Sequence, residues 1–118
     1  MAPTGRPVGI DLGTTYSAIA YLDESGRPVT IPNREGELTT PSAILFEEEN
    51  IVVGREAIRA ALTDPQRVVQ FIKREMGTPR YRCRVGSKSY TPEELSAMIL
   101  KKLKQDAEQK IGPIKEAV

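Results

Sequence analysis

Asp11, Gly13, Thr14 and Thr15 fall within five consecutive residues, Asp11-Leu12-Gly13-Thr14-Thr15, and their types are those that a phosphate-holding turn needs. Small residues let backbone N–H groups approach phosphate oxygens. Hydroxyls donate further hydrogen bonds, and a carboxylate orients Mg²⁺ or its waters. Gly13 opens the turn, Thr14 and Thr15 offer N–H and O–H donors, and Asp11 faces the same mouth; Ser17 is a weaker candidate in the segment that follows. The same residues also suit an ordinary hairpin, because glycine is common in turns and threonine is a good strand residue. Local chemistry alone leaves both readings open. Two other nucleotide signatures are missing: no G-x-x-x-x-G-K-[ST] occurs, and no G-x-G-x-x-G follows a strand, which excludes P-loop and Rossmann sites.

Composition excludes several further chemistries. The 118 residues include no histidine and one cysteine, Cys83, so no disulfide within the chain and no Cys/His zinc site can be assembled. Any catalysis would rest on carboxylates, lysine, tyrosine or a bound metal. Lys plus Arg number 17 against 16 Asp plus Glu, a net charge of +1, which argues against a nucleic-acid binder. Hydrophobic residues at 39% and charged residues at 28% fit a soluble globular chain. Its length implies one domain able to bury roughly two-thirds of its unfolded surface. No long apolar run or signal peptide is present, so neither a membrane nor a secretory route is expected, and a reducing cytoplasmic setting is the default.

The elements that must carry the turn follow from periodicity. Val8, Ile10 and Leu12 alternate with Gly9 and Asp11, the period of a strand. Tyr16 to Leu22 reads as a second strand, Ser25-Gly26-Arg27-Pro28 as a turn, and Val29-Thr30-Ile31 as a third strand, together an antiparallel meander. Thr39-Thr40-Pro41-Ser42 is extended, because the residue before proline is pushed away from the helical region. Ala43 to Phe46 and Ile51 to Val53 read as strands on either side of a solvated acidic tip, Glu47-Glu48-Glu49-Asn50. Gly54 to Leu62 looks helical, with Ala57, Ile58, Ala61 and Leu62 on one face. Asp64 and Pro65 then suit N-cap and first helical position. Val68, Val69, Ile72 and Met76 have helical spacing, although Val68-Val69 equally suits a short strand. Tyr81 to Tyr90 reads as a hairpin around Gly86-Ser87. The clearest helix opens at the capping box Thr91-Pro92-Glu93-Glu94, carries Leu95, Met98, Ile99, Leu103, Ala107 and Ile111, and stops at Gly112-Pro113. Residues 114–118 begin an extended element that reads as cut short.

The run Val8-Gly9-Ile10-Asp11-Leu12-Gly13-Thr14-Thr15-Tyr16-Ser17 closely resembles the first phosphate loop of the DnaK-type heat-shock chaperones, of bacterial type, within the actin/sugar-kinase ATPase superfamily. Further resembling segments follow in the family's order: Thr39-Thr40-Pro41-Ser42, Val53-Gly54-Arg55-Glu56-Ala57, Phe71-Ile72-Lys73-Arg74-Glu75-Met76-Gly77, and Tyr90 to Leu100. The first motif alone is moderately specific. The ordered set, from about Val8 to Val118, is highly specific. The stretch from Met76 to Tyr90 is shorter than in many members, as in compact bacterial variants.

The resemblance implies a mixed α/β fold, the actin-like first ATPase lobe in part, with an antiparallel meander and a small α/β subdomain ending in a long helix. Residues 1–38 would belong to the core sheet, 39–112 to the smaller subdomain above the nucleotide cleft, and 113–118 to the next core strand. The resemblance also implies ATP or ADP with Mg²⁺ as cofactors. Gly13, Thr14, Thr15 and Tyr16 would touch the β- and γ-phosphates, and Asp11 would face Mg²⁺ through water. Lys73, by itself an ordinary solvated lysine, would reach the γ-phosphate region and help place the attacking water. The family's second phosphate loop, further acidic residues, adenine pocket and peptide-binding domain have no counterpart in these residues. The intact protein would therefore be the ATPase, acting on unfolded polypeptides with co-chaperones, and this chain alone would be inactive and open to self-association at its sheet edge. A non-catalytic folding or interaction unit is the alternative.

Overall fold

A computed structural model describes residues 6–48, 50–77, 83–85 and 87–118. Along the chain come β1 (Arg6–Leu12), β2 (Tyr16–Leu22), β3 (Pro28–Thr30), β4 (Thr40–Pro41), β5 (Ala43–Phe46) and β6 (Ile51–Val53). Then follow α1 (Arg55–Ala60), β7 (Val68–Gln70), β8 (Cys83–Val85), β9 (Lys88–Tyr90), α2 (Pro92–Ile111) and β10 (Ile114–Ala117). Short 3₁₀ turns at Pro65–Arg67 and Ile72–Glu75 flank β7.

Alternation works as the sequence requires. β1 buries Val8 and exposes Pro7, Gly9 and Asp11, and β2 buries Ser17 and Ile19. The two pair antiparallel, and β3 pairs antiparallel with β2 at residues 20–22. The meander is present as expected. β4 pairs with the other end of β2, Tyr16 with Pro41 and Ser17 with Thr40, while β10 lies parallel to β1. A second sheet, in the order β6-β5-β7, starts one residue after β4. Ser42 is therefore the single residue that joins a strand of the first sheet to a strand of the second.

The helix α2 holds the two sheets together. The Thr91 hydroxyl accepts from the Glu94 N–H at 3.1 Å, and the Glu94 carboxylate accepts from the Thr91 N–H at 3.0 Å, the capping box read from the sequence. Gly112, at φ 82°, ends the helix. Leu95, Ile99, Leu103 and Ala107 form its fully buried stripe and share one core with Val8, Ile19 and Ile31 of the first sheet region and Ile44, Phe46, Val53 and Val69 of the second. Each large side chain in that stripe contributes about 1.5–3 kcal/mol by leaving water. Among the described residues, no helix is long and apolar enough to cross a membrane.

Three expectations need correction. The segment 54–62 is helical only over Arg55–Ala60, and Leu62, expected on its buried face, is 85% exposed. The Leu62 N–H bonds back three residues, to the Arg59 carbonyl, so the last turn tightens and carries Leu62 outward. Asp64 holds the N-cap position but makes no cap bond; its carboxylate pairs instead with Arg67 at 3.2 Å. The helical alternative for 68–76 gives way to strand β7, because Val69 faces Ile44 across the sheet and both are buried. The expected hairpin is present as β8 and β9, with Tyr90 against Phe46 at 4.9 Å between ring centroids; Tyr81, Arg82 and Gly86 lie outside the described residues, as does Glu49 of the acidic tip.

Candidate functional site

The Asp11–Thr15 stretch closes β1 onto β2, with a bend at Thr14 and Thr15. Glycine is required at position 13 for space. A methyl group there would overlap the Tyr16 carbonyl oxygen and stand 3.3 Å from its carbon. The backbone crosses itself at that point, and only a residue without Cβ admits the crossing.

Two buried hydroxyls brace the turn from beneath. The Gly13 N–H donates to Ser17 Oγ at 3.3 Å, and Ser42 Oγ donates to the Gly13 carbonyl at 2.9 Å. The two serine oxygens are 2.8 Å apart, and the Ser42 N–H donates to the Thr15 carbonyl at 2.8 Å. Ser17 and Ser42 are 1% and 3% exposed, so the contact between their hydroxyls is shielded from competing water, while the two bonds to Gly13 are partly buried. Among the described residues, neither the Thr14 nor the Thr15 N–H has a hydrogen-bond partner. Thr14 is half-buried, whereas Asp11, Thr15 and Tyr16 are exposed.

Lys73 lies beyond the end of β7, on the chain that strand register ties to β5. Ser42 is followed at once by Ala43 of β5, which pairs with Gln70 of β7, and β7 ends there. Phe71 then adopts φ 59° and ψ 32°, making it the sole non-glycine residue with positive φ among the described residues. That left-handed residue turns the chain sharply into Ile72–Glu75. Ile72 anchors the turn in the core, Lys73 is exposed, and the Arg74 guanidinium lies 4.7 Å from the Phe71 ring centroid. Among the described residues Lys73 has no ion-pair partner.

A separate polar network supports the chain leading into β4. Asn33, 4% exposed, donates to the Thr40 hydroxyl at 3.0 Å and to the Thr39 carbonyl, and accepts from the Glu37 N–H. Asp106 of α2 accepts from the Arg34 N–H at 3.1 Å and from Lys102 at 2.7 Å; Lys102 also reaches Glu35. Burial alone would push Lys102 down, but the Asp106 and Glu35 carboxylates outweigh it and hold the ammonium above its ordinary value. Glu37 pairs with Arg55. Asn33, Asp106 and Ser42 went unnoticed as supports in the sequence. For Ser17 a signal existed, since it shares strand parity with Ile19 on the buried face.

At one bend, two N–H groups without a partner among the described residues and two hydroxyls suit a phosphate. One exposed carboxylate suits Mg²⁺ held through its own waters, and among the described residues no cluster of three or more His, Cys, Asp or Glu side chains could cage a metal. Cavities of about 380 and 400 Å³ are walled mainly by β6 and α2 and by β1, β10 and α2, and neither includes the turn or Lys73 in its wall.

Mixed α/β architecture, several sheets and a long helix after the second of them are those of part of an actin-like ATPase lobe. The model of the family described as Hsp70 protein matches residues 7–82 and 78–118. The chain belongs to the Hsp70 family, whose members are heat-shock chaperones that bind ATP or ADP with Mg²⁺ and engage unfolded polypeptides and co-chaperones.

Proposed function

We propose that this chain supplies one wall of the nucleotide site of a DnaK-type chaperone, bacterial in character and cytoplasmic, in which ATP turnover controls the grip on unfolded polypeptides. The observation that carries the reading is the Thr14–Thr15 bend, whose N–H groups have no partner among the described residues while hydrogen bonds from Ser17 and Ser42 brace the turn beneath them. Mg²⁺, when bound, would supply charge neutralisation on the transferring phosphoryl group. Thr14, Thr15 and the Tyr16 backbone would bind phosphate oxygens, and Gly13 would let the backbone come close enough to do so. Asp11 would orient metal-bound water. Lys73 would place positive charge near the terminal phosphate and position the attacking water.

These residues form one side of a clamp, so the chain by itself is expected to bind Mg-ADP no tighter than about 1 mM, or about −4 kcal/mol, without turnover. The test is titration of the ¹⁵N-labelled chain with Mg-ADP. Amide shifts confined to Gly13–Tyr16 and abolished by Thr14→Ala/Thr15→Ala support the reading. A flat response at these amides would favour a non-catalytic interaction unit instead.

A further inference from the structure

The two buried serines do more than fill space, because their protons can be assigned. Each hydroxyl has one proton to donate. Ser42 Oγ spends its proton on the Gly13 carbonyl, which can only accept. In the 2.8 Å contact between the hydroxyls, Ser17 must therefore be the donor and Ser42 the acceptor. Ser17 Oγ in turn accepts from the Gly13 N–H. The bonds run Gly13 N–H to Ser17, Ser17 to Ser42, and Ser42 back to the Gly13 carbonyl, forming a closed cycle in which every member both gives and receives.

We propose that Ser17 and Ser42 are positioning residues for phosphate binding: their hydrogen-bonded cycle with Gly13 fixes the Thr14–Thr15 bend with its N–H groups presented to an anion. The proposal rests on the nucleotide reading above and adds the device that makes the turn competent. The cycle consumes the Gly13 N–H internally, so the donors left for phosphate are those of Thr14 and Thr15, which have no partner among the described residues. It also uses Ser42, the single-residue link between β4 of the first sheet and β5 of the second. Ser42 holds the turn by its side chain at Gly13 and by its N–H at Thr15, while its neighbour Ala43 fixes β7 and the turn that carries Lys73. Phosphate donors and lysine are thereby referred to one common point. The three bonds run in one direction from the Gly13 N–H to its carbonyl, and hydrogen bonds in such a chain polarise one another, so they act as a unit.

The experiment compares the ¹⁵N-labelled chain with Ser17→Ala, Ser42→Ala and the double variant, using Mg-ADP as probe and amide exchange without ligand as second readout. Expected is a loss of affinity on the order of tenfold in each single variant, with the double variant no worse than either, the mark of one coupled unit. Exchange of the Gly13 amide is expected to accelerate in Ser42→Ala as well as in Ser17→Ala, although Ser42 does not touch that amide. A merely structural serine would not produce this. Ser42→Cys, close in volume but a weak donor, serves if an alanine variant does not fold, and the same loss is expected. Wild-type affinity in the folded serine variants would overturn the proposal while leaving the nucleotide reading intact. No Mg-ADP response in the unaltered chain would instead remove the nucleotide reading, and the positioning role with it.

Discussion

Replacing Gly13 by alanine tests the geometry of the turn without reference to any ligand. The added methyl would overlap a backbone carbonyl, that of Tyr16, which cannot rotate away as a side chain could. Relief requires the turn to open by roughly an ångström, toward normal van der Waals separation. Overpacking of this kind costs about 1–3 kcal/mol. Opening also stretches the bonds from Ser17 and Ser42 to Gly13, each worth about 0.5–1.5 kcal/mol when intact. The expected loss of stability is therefore about 2–4 kcal/mol. Gly9 is the control, since it lies four residues earlier, in β1, and a methyl there would meet nothing within 4 Å. Gly9→Ala is expected to be neutral or to stabilise by up to about 1 kcal/mol, by removing glycine's backbone freedom in the unfolded chain. Urea denaturation followed by circular dichroism measures both. Equal midpoints for the two variants would refute the claim that the backbone crossing at Gly13 is what demands glycine.

Three further expectations rest on separate parts of the molecule. Lys102→Met leaves the Asp106 carboxylate, which is 6% exposed, with the Arg34 N–H but without its cation, and is expected to cost about 1–3 kcal/mol after discounting for the partial exposure of the lysine; because the Lys102 value is raised, its contribution is complete below its ordinary value of 10.5 and fades as pH rises beyond it, so alkaline titration of stability should show a component in the unaltered chain that the variant lacks. Asp23 is held below its ordinary 3.8, first by the Ser25 hydroxyl and then by the Arg27 N–H, so its contribution is present above that value and is lost on acidification through the lowered one; carboxyl NMR should find it titrating below 3.8, and Ser25→Ala should move it upward. Phe71→Gly, at a left-handed and 41% exposed position, should change stability by less than about 1 kcal/mol, because relief of roughly 1–2 kcal/mol of backbone strain offsets the lost Arg74 contact and added chain entropy; a loss of the size usual for a core phenylalanine, measured by thermal unfolding, would contradict that balance.

Much of this architecture was legible because it is local. The period-two run of Val8, Ile10 and Leu12, the turn chemistry around Gly26 and the capping box at Thr91 each announce an element within a few residues, and each is present. The tight glycine turn at residue 13 was legible for the same reason. What could not be read depends on contacts far apart in sequence. Val68 and Val69 suit either helix or strand until Ile44 and Leu45 stand opposite. Leu62 looks like a core residue until the preceding turn tightens. Asp106 and Asn33 carry no sequence sign of burial, since only the pairing of α2 with the chain before β4 supplies their partners. Ser42 acts across 29 positions on Gly13 and across 25 on Ser17, beyond the reach of any local pattern.

The two halves of the proposed site are therefore specified by different physics. The turn at Gly13 is local chemistry closed by two hydroxyls, whereas the position of Lys73 depends on strand register. Ile44 and Val69 face each other, 0% and 9% exposed, and side chains alternate faces along a strand. A slip of one residue would present Val68 or Gln70 to the core in place of Val69, which the apolar core strongly disfavours. A slip of two would preserve parity but move the end of β7 by roughly 7 Å along β5. Lys73 would move with it. Ile72, 2% exposed, opposes that slip by anchoring the following turn in the core. Hydrophobic burial at three aliphatic residues thus sets the placement of the proposed catalytic lysine, whose own side chain takes no part in the fold.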